Sequence, residues 1–335
     1  MKTEKKIEFL SVLRQEIRQI IKQEDPVLNR AYLKNKWFEP VFIKNALFGI
    51  SLMLEKDKLT KWLARYPESD EQNKDIGIVM AGNIPLVGFH DLLSVILSGN
   101  RAVIKLSHSD DVLLPHIVNL IGHIDPRIKK SIFFASSLKK VDAVIATGSD
   151  NTARYFQHAF KNIPHLIRKN RTSCSVLDGS ESVLNYEALS TDIFSYFGLG
   201  CRNVSKIFIP NGFDIKDLIT HLNKYTWIKG HSKYYNNYSY QFSKNTLEKT
   251  RFIDGKFFIL LKNNNLVSPI GCIYYEEYEN PELLKLNINQ NRNKIQCIVS
   301  ACDWIDDTVA FGMAQYPEPW EYADNIDTMS FLLNM

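Results

Sequence analysis

The sequence lacks the long apolar runs and the basic stripes that mark membrane and nucleic-acid-binding proteins. Each apolar stretch is interrupted by polar or charged residues well short of the roughly 18 residues that a spanning helix needs. The start MKTEKKIEF has no apolar signal core. The net charge of +4 is spread over short runs of mixed sign, which does not favour a nucleic-acid partner. We therefore expect a folded cytoplasmic protein without a membrane span.

Paired cysteines and a glycine-rich nucleotide fingerprint are missing as well. The five cysteines are odd in number and form no CxxC pair, which argues against a disulfide framework and against a metal site. No GxGxxG motif is present, so an ordinary Rossmann dehydrogenase is not expected. The length of 335 residues and the apolar share of 45% instead predict a folded chain with two packed lobes.

Hydrophobic periodicity predicts helices first, and then strands alternating with helices. Apolar residues between Ile7 and Ile21 recur at three- and four-residue steps, which is typical of an amphipathic helix, and residues 43–63 are expected to be helical too. From Asp75 to about Arg168 short buried strands alternate with helices, and a second such succession follows. The alternation predicts an α/β protein with mainly parallel, doubly wound sheets.

The pattern also suggests bounds for the parts of the chain. We expect an N-terminal helical segment over 1–65, a first lobe over 66–178, a second lobe over 179–305 and a tail over 306–335 that packs back on the core. The stretch from 225 to 265, rich in Tyr, Asn and Lys, predicts long surface loops or an irregular sheet edge.

One cysteine stands in a setting that suits chemistry. Cys201 lies between Gly200 and Arg202, just ahead of a predicted strand. A glycine on its N-terminal side allows close approach to the sulfur, and a neighbouring guanidinium favours the reactive thiolate. A buried packing cysteine is the alternative reading, and it is the one adopted for the other four cysteines.

Three further segments follow predicted strands, where doubly wound folds bind ligands. Asn83, in the loop AGNIPLVGFH, could offer its amide to a developing oxyanion, or it could be a turn residue. Lys105 and Ser107, in VIKLSHSD, suit a ribose or a phosphate. Gly148 and Ser149, in ATGSDNT, would place N–H groups at a helix start beside a phosphate, although a serine there is also an ordinary helix cap.

Taken together, the order and spacing of these segments resemble the aldehyde dehydrogenase superfamily. A Gly-Asn-x-Pro loop is followed 22 residues after its Asn by the lysine, then by a Thr-Gly-Ser turn, and 52 residues after that Ser by the glycine-flanked cysteine. The segments GNIPLVGFHDLLSVILSGN, KLSHSD and FGLGCRNVSKIF are similar to those of LuxC-type fatty acyl-CoA reductases. The resemblance extends from Ile76 to Pro210, and a weaker similarity is found over residues 326–332.

The resemblance implies a fold of two Rossmann-like lobes and a role for each segment. Cys201 would be the acyl-accepting nucleophile of the second, catalytic lobe, and Asn83 with the Cys201 backbone N–H would form the oxyanion hole. Lys105 and Ser107 would contact the adenosine ribose or its phosphate in the first, NAD(P)-binding lobe. Gly148 and Ser149 would lie under the cofactor pyrophosphate.

Two departures from the superfamily pattern bear on the reaction. Oxidising members carry a Glu-Leu-Gly-Gly segment where this chain reads LIRKNR over residues 166–171, so the carboxylate that activates water is missing. A covalent thioester on Cys201 would then be reduced instead of hydrolysed. The acidic residue expected after Lys105 is also absent, with His108 near its place, which makes NADPH acceptable beside NADH.

These considerations predict an acyl-CoA reductase that turns a long-chain fatty acyl thioester into an aldehyde. Two alternatives stay open: a CoA-acylating aldehyde dehydrogenase running in the oxidative direction, and a non-catalytic acyl-binding subunit of an acyl-transfer complex. The expected partners are a fatty acyl-CoA or acyl-carrier thioester and an acyl-transferring protein. A homo-oligomer or a heteromeric complex is expected.

Overall fold

The computed structural model describes residues 2–68, 72–148 and 150–335. The described chain divides into two compact units. Unit 1 comprises the residues up to Asn170 together with Tyr316–Met335, and unit 2 comprises Arg171–Gln315. Within the described ranges, no helix combines the length and the apolar content needed to cross a membrane.

Unit 1 begins with helices, as the periodicity predicts. Their bounds are α1 Thr3–Gln23, α2 Pro26–Lys34, α3 Pro40–Met53 and α4 Lys56–Leu63. Helix α1 buries Leu10, Leu13 and Ile17 along one stripe, as an amphipathic surface helix does. The stretch predicted over 43–63 is two helices instead of one, because the chain turns between Met53 and Lys56.

A parallel sheet follows in unit 1. Its strands and helices are β1 Asp75–Val79, α5 Phe89–Leu97, β2 Arg101–Lys105, α6 Leu113–Ile124, α7 Pro126–Lys129, β3 Ile132–Phe134, β4 Ala143–Thr147, α8 Asp150–Ala159 and β5 His165–Arg168. Among the described residues the strand order is β3-β2-β1-β4-β5, with every pair parallel. This is the doubly wound order, in which the chain reverses direction between β1 and β4 and ligands bind at the carboxyl ends of those strands.

Unit 2 contains a second, larger sheet. Its elements are β6 Thr172–Val176, α9 Val183–Phe194, β7 Val204–Pro210, α10 Ile215–His221, α11 Ser232–Leu247, β8 Phe252–Asp254, β9 Ile259–Lys262, β10 Cys272–Tyr278, α12 Pro281–Gln290, β11 Ile295–Val299 and β12 Thr308–Val309. The strand order, taken over the described part of the unit, is β12-β11-β6-β7-β10-β9-β8. Only the β8–β9 pair in this sheet is antiparallel. The α/β class predicted from the sequence is confirmed.

The prediction of long loops between residues 225 and 265 is wrong over Ser232–Leu247, which is helix α11. Its buried face is made by tyrosines, with Tyr234 and Tyr238 one helical turn apart and 2% and 7% exposed. An aliphatic stripe is the usual sign of such a face, and none is present here. The irregular sheet edge expected in the same region exists as the antiparallel strand β8.

The C-terminal segment returns to unit 1 and ends in helix α13, Thr328–Leu333. Met329 and Leu332 are buried in the same hydrophobic core as helix α5. Tyr322 accepts a hydrogen bond from the indole N–H of Trp62 on α4, at 2.7 Å. The tail is therefore an integral part of the packing of unit 1.

Candidate active site

Three of the sequence-predicted segments lie side by side at the carboxyl edge of the unit 1 sheet. Strand β1 pairs with β2 on one side and with β4 on the other, so that Val79 lies opposite both Lys105 and Ala146. The loop with Asn83 follows β1, and Gly148 follows β4. Lys105 ends β2, and its side chain is exposed, as is that of Asn83. The sheet thus brings together the residues that the sequence places far apart.

The loops after β1 and β2 are packed tightly against each other. A Cβ placed on Gly82 would lie 2.4 Å from the hydroxyl oxygen of Ser107, so no larger residue fits there without a shift. The Ser107 hydroxyl also accepts a hydrogen bond from the backbone N–H of Ser109, at 3.2 Å. Glycine next to Asn83 is therefore required by close approach of the two loops.

A buried carboxylate fixes the strained part of the Asn83 loop. Leu86 has a φ of +57°, a left-handed conformation that is unfavourable for a leucine. Its N–H donates to Asp110 Oδ2 at 2.8 Å, and burial raises the pKa of Asp110 to about 6. The hydrogen bond compensates part of the strain, so the loop keeps one conformation.

Beside β4, Gly148 donates its backbone N–H to the carbonyl of Arg168 on β5, at 3.3 Å. A Cβ on Gly148 would meet the side chain of Thr152 at 2.9 Å, because helix α8 begins immediately afterwards. Ser149, which the resemblance places under the cofactor pyrophosphate, lies outside the described residues.

Arg168 ends β5 within the segment LIRKNR, residues 166–171, which contains no carboxylate. Arg168 is 4% exposed, and its guanidinium donates to both oxygens of Asp91, at 2.7 and 2.6 Å. It also donates to the hydroxyl of Thr328 in the C-terminal helix, at 2.8 Å. The guanidinium is therefore bound within the core of unit 1. Residues 166–171 provide no carboxylate that could activate water.

Cys201 lies in unit 2, in the turn that joins α9 to β7. Helix α9 ends at Phe194, a 3₁₀ turn covers Ser195–Gly198, and β7 begins at Val204. Tyr196 and Phe197 have φ values of +52° and +58°. Such left-handed residues cost roughly 1–3 kcal/mol each, and they persist only where the surrounding structure holds them.

Aromatic packing holds this strained turn from one side. The ring of Phe197, 1% exposed, stacks on the imidazole of His231 with ring centroids 4.2 Å apart. Tyr234, on the first turn of α11, lies next to it at 5.6 Å between centroids. The first turn of α11 therefore packs against the turn that leads to Cys201.

Hydrogen bonds hold the turn from the other side. The buried side chain of Asn203 accepts from the Gly200 N–H at 2.8 Å and donates to the Ser195 carbonyl at 2.8 Å. The Ser173 hydroxyl on β6 donates to the carbonyl of Cys201 at 3.0 Å. The backbone on each side of the sulfur-bearing residue is thus fixed to α9 and to the sheet.

Exposure separates Cys201 from the other cysteines. Cys201 is half-buried, whereas the other four, all within the described residues, are buried at 8% exposure or less. Burial raises the pKa of Cys174 and Cys272 to about 12 and that of Cys302 to about 11, so these thiols form little thiolate at neutral pH. The structure thus leaves Cys201 as the accessible thiol among the five.

Sequence reasoning missed the residues that support the Cys201 turn. Ser173, Asp192 and Asn203 are buried polar residues whose partners are distant in sequence or are backbone groups. Only the position of Asn203, two residues after the cysteine, was a usable signal. The Asp91–Arg168 pair spans 77 residues and has no local signature.

Comparison with known proteins agrees with these observations. Residues 2–226 match the family model described as acyl-CoA reductase (LuxC). The long-chain acyl-protein thioester reductase 2 of Photobacterium leiognathi is 26% identical over 234 residues, and the match covers 62% of this chain and 49% of that protein. The chain therefore spans about half the length of this curated relative.

Solved structures show the same fold at low identity. The indole-3-acetaldehyde dehydrogenase of P. syringae aligns with a TM-score of 0.66 and 13% identity, covering 90% of this chain and 72% of that chain. An aldehyde dehydrogenase from Bacillus cereus, solved as an NAD⁺ complex, aligns with a TM-score of 0.63 and 12% identity, covering 91% and 72%. The aldehyde dehydrogenase-like fold predicted from the sequence is confirmed. Because the family model covers two thirds of the residues, from the first helix past Cys201, the chain belongs to the LuxC family of acyl-CoA reductases.

Proposed function

We propose that this protein reduces a long-chain fatty acyl thioester to an aldehyde, with NADPH or NADH as the reductant and Cys201 as the nucleophile. The observation that carries the proposal is the LuxC family match over residues 2–226, which includes the half-buried Cys201 in its glycine-flanked turn. The fixed backbone around that turn supports the same role, since a nucleophile must be held within attack distance of its target.

The first step proposed is attack of the Cys201 thiolate on the thioester carbonyl carbon. The carbonyl electron pair moves onto oxygen, and the resulting oxyanion accepts hydrogen bonds from the Asn83 amide and the Cys201 N–H. Collapse expels the carrier thiolate, which takes up a proton, and leaves an S-acyl enzyme. In the second step a hydride adds to the acyl carbon, and expulsion of the Cys201 thiolate releases the aldehyde.

The residues of unit 1 fit a nicotinamide cofactor, which supplies the hydride when it is bound. The doubly wound strand order and the loops at the carboxyl ends of β1 and β4 are the usual setting for a dinucleotide. Lys105 and Ser107 would hold the adenosine ribose or its phosphate, and Gly148 with Ser149 would lie under the pyrophosphate. A carboxylate in the place of the usual acid would repel a 2′-phosphate, and His108 stands near that place, so NADPH is the cofactor proposed, with NADH as the alternative.

The lack of a carboxylate in residues 166–171 supports reduction over hydrolysis. An acyl-enzyme is hydrolysed when a general base activates water beside it. Arg168 stands in the segment where that base is found in oxidising relatives, and its guanidinium is bound to Asp91 in the core. The S-acyl group on Cys201 would therefore persist until a hydride reaches it.

The carrier of the acyl group is proposed to be a protein or coenzyme A. The name of the Photobacterium relative describes a reductase of acyl-protein thioesters, which supports a protein-bound acyl group as the substrate. An acyl-transferring partner protein, and assembly of the chain into a homo-oligomer or a heteromeric complex, are part of the same proposal.

The direct test follows the loss of NADPH absorbance when a long-chain acyl-CoA or an acyl-carrier-protein thioester is added, with trapping of the aldehyde. We expect the unaltered chain to consume cofactor and form aldehyde. Cys201→Ala should be inactive, whereas Cys302→Ala, which removes a buried thiol, should keep its activity. If the unaltered chain consumes neither NADPH nor NADH with either thioester, the reductase proposal fails and a non-catalytic acyl-binding role takes its place. A higher kcat/KM for thioester formation from aldehyde, NADP⁺ and coenzyme A than for thioester reduction would indicate the oxidative alternative.

A further inference from the structure

We propose that Asp192 and Arg202 are positioning residues that tie the backbone of residues 312–314 to the Cys201 turn. The inference rests on the proposed role of Cys201 as the acyl-accepting nucleophile. It concerns residues of unit 2 alone, and it assigns a task to two charged side chains that bond to the backbone of residues 312–314.

Asp192 anchors the segment to helix α9. Its side chain is fully buried, and its carboxylate accepts hydrogen bonds from the Gly312 N–H at 2.6 Å and from the Ala314 N–H at 2.9 Å. A buried carboxylate is costly unless its oxygens are bonded, and bonds from N–H groups to a charged oxygen are among the strong ones. The conformation of residues 312–314 is therefore dictated by Asp192.

Arg202 links the same segment to the nucleophile. It directly follows Cys201 in the chain, and its Nε–H donates to the carbonyl oxygen of Ala314. Ala314 is thus held on both sides, through its N–H by Asp192 and through its carbonyl by Arg202. The Arg202 charge also attracts the Asp192 carboxylate. This attraction lowers the pKa of Asp192, although the larger effect of burial raises it.

Asn203 closes the set of bonds. Its side-chain amide donates to the backbone carbonyl of Asp192 itself, at 3.1 Å, and to that of Ser195. The Cys201 turn is consequently joined to α9 along two routes, one direct through Asn203 and one through Arg202 and Ala314. Loss of Asp192 would release Ala314 and so weaken the hold of Arg202 on the turn.

These hydrogen bonds of Asp192, Arg202 and Asn203 matter for the reaction because the Cys201 sulfur must stay close to the acyl carbon. A displacement of about 1 Å at a reacting atom can cost roughly a hundredfold in rate. Asp192 and Arg202 do not themselves need to touch the substrate. They keep the turn in the conformation in which Cys201 can attack.

The test compares Asp192→Asn, Arg202→Met and Arg202→Lys with the control Asp217→Asn. Asparagine at 192 keeps one acceptor but turns an NH₂ group toward the second N–H. Lysine at 202 keeps the charge and a donor, so it should restore part of what methionine loses. Asp217 is half exposed on α10 and pairs with His221 one helical turn away, which makes it a surface carboxylate of the same unit.

The first readout is backbone hydrogen exchange, measured by mass spectrometry on peptides that cover residues 197–204 and 308–316. It needs neither substrate nor cofactor. We expect Asp192→Asn and Arg202→Met to speed exchange in both peptides by about ten- to hundredfold, as loss of a bond to a charged group would. Asp217→Asn should leave both unchanged. If Asp192→Asn does not fold, the proposal is tested with Arg202→Met alone. Unchanged hydrogen exchange in the 197–204 peptide of the folded variants overturns the proposal.

The second readout is the split between kcat and KM for acyl reduction. A positioning role predicts that kcat falls about tenfold or more while KM stays nearly constant, since the interaction affects attack and not substrate binding. Arg202→Lys should recover part of kcat, and equal losses in the methionine and lysine variants would contradict the role of the Arg202 hydrogen bond. If the unaltered chain reduces no thioester, the proposed function fails. The hydrogen-exchange result still shows whether Asp192 and Arg202 hold the Cys201 turn.

Discussion

The guanidinium of Arg168 binds both carboxylate oxygens of Asp91 in the core of unit 1, at 2.7 and 2.6 Å. Both side chains are almost fully buried. Arg168 ends strand β5, Asp91 lies on the first turn of α5, and Thr328 brings the C-terminal helix to the same guanidinium. One ion pair thus joins the sheet, the helix that follows the Asn83 loop, and the tail.

We predict that breaking this pair from the acidic side strongly destabilises the protein. Asp91→Asn leaves the Arg168 charge buried without a counterion, and such losses amount to about 3–5 kcal/mol in the free energy of unfolding. Urea denaturation followed by circular dichroism would measure the loss. The matched control is Glu277→Gln, which breaks an exposed pair with Lys262 and should leave the free energy of unfolding nearly unchanged. Equal effects of the two substitutions would contradict a structural role for the buried pair.

A second prediction concerns the contact between Gly82 and Ser107. Gly82→Ala places a methyl group where the Ser107 hydroxyl lies, and forced overpacking costs about 1–3 kcal/mol. If the two loops hold the cofactor, the dissociation constant for NADPH should rise about tenfold, which corresponds to roughly 1.4 kcal/mol. Fluorescence titration would measure it.

The control for this substitution is Gly230→Ala, because an added Cβ at Gly230 meets no atom within 4 Å. It should leave NADPH binding unchanged. A Gly82→Ala variant that is folded and binds NADPH as tightly as the unaltered chain would argue against cofactor contact at these loops.

The parallel sheet and the placement of Asn83, Lys105 and Gly148 after its strands follow well from the sequence. Short β-branched runs such as Ala143–Thr147, each ending in a glycine or polar turn, predict parallel strands whose carboxyl ends meet at one edge. Residues that follow those strands must then lie near one another. Local patterns are enough here because the sheet geometry supplies the rest.

Other features depend on contacts that no local pattern records. Helix α11 was missed because Tyr234 and Tyr238 form its buried face, and tyrosines are not counted as an aliphatic stripe. In the sequence Asp192 is an ordinary charged residue and Arg202 is notable only as the neighbour of Cys201. Their shared partner, the backbone of Ala314, lies more than 100 residues away. Buried polar networks join distant residues, so they are the part of a site that sequence predicts least.

The third prediction concerns pH. Burial raises the pKa of Asp192 to about 7 in the folded state, above the ordinary value near 4 that it has when unfolded. Between these values the folded protein binds more protons than the unfolded chain, so this group lowers stability as pH rises from about 4 to 7. The slope for one such proton is at most about 1.4 kcal/mol per pH unit.

Comparison with Asp192→Asn isolates this contribution, since asparagine does not titrate. The free energy of unfolding of the unaltered chain, minus that of the variant, should decrease between pH 5 and pH 7 and level off above about pH 7.5. Urea titrations at each pH measure both values. A difference that is constant over this range would show that Asp192 does not titrate with a raised pKa.

Acylation in the absence of a cofactor shows whether Cys201 is the residue that carries the acyl group. The protein would be mixed with a long-chain acyl thioester in the absence of NADPH and NADH, digested, and analysed by mass spectrometry for the acyl mass. We expect a stable thioester on the peptide that contains Cys201 and its disappearance when NADPH is added. No acyl group is expected on the peptides with Cys174, Cys272, Cys297 or Cys302. An acyl group found on another residue, or an acylated enzyme formed equally well by Cys201→Ala, would contradict this role of Cys201.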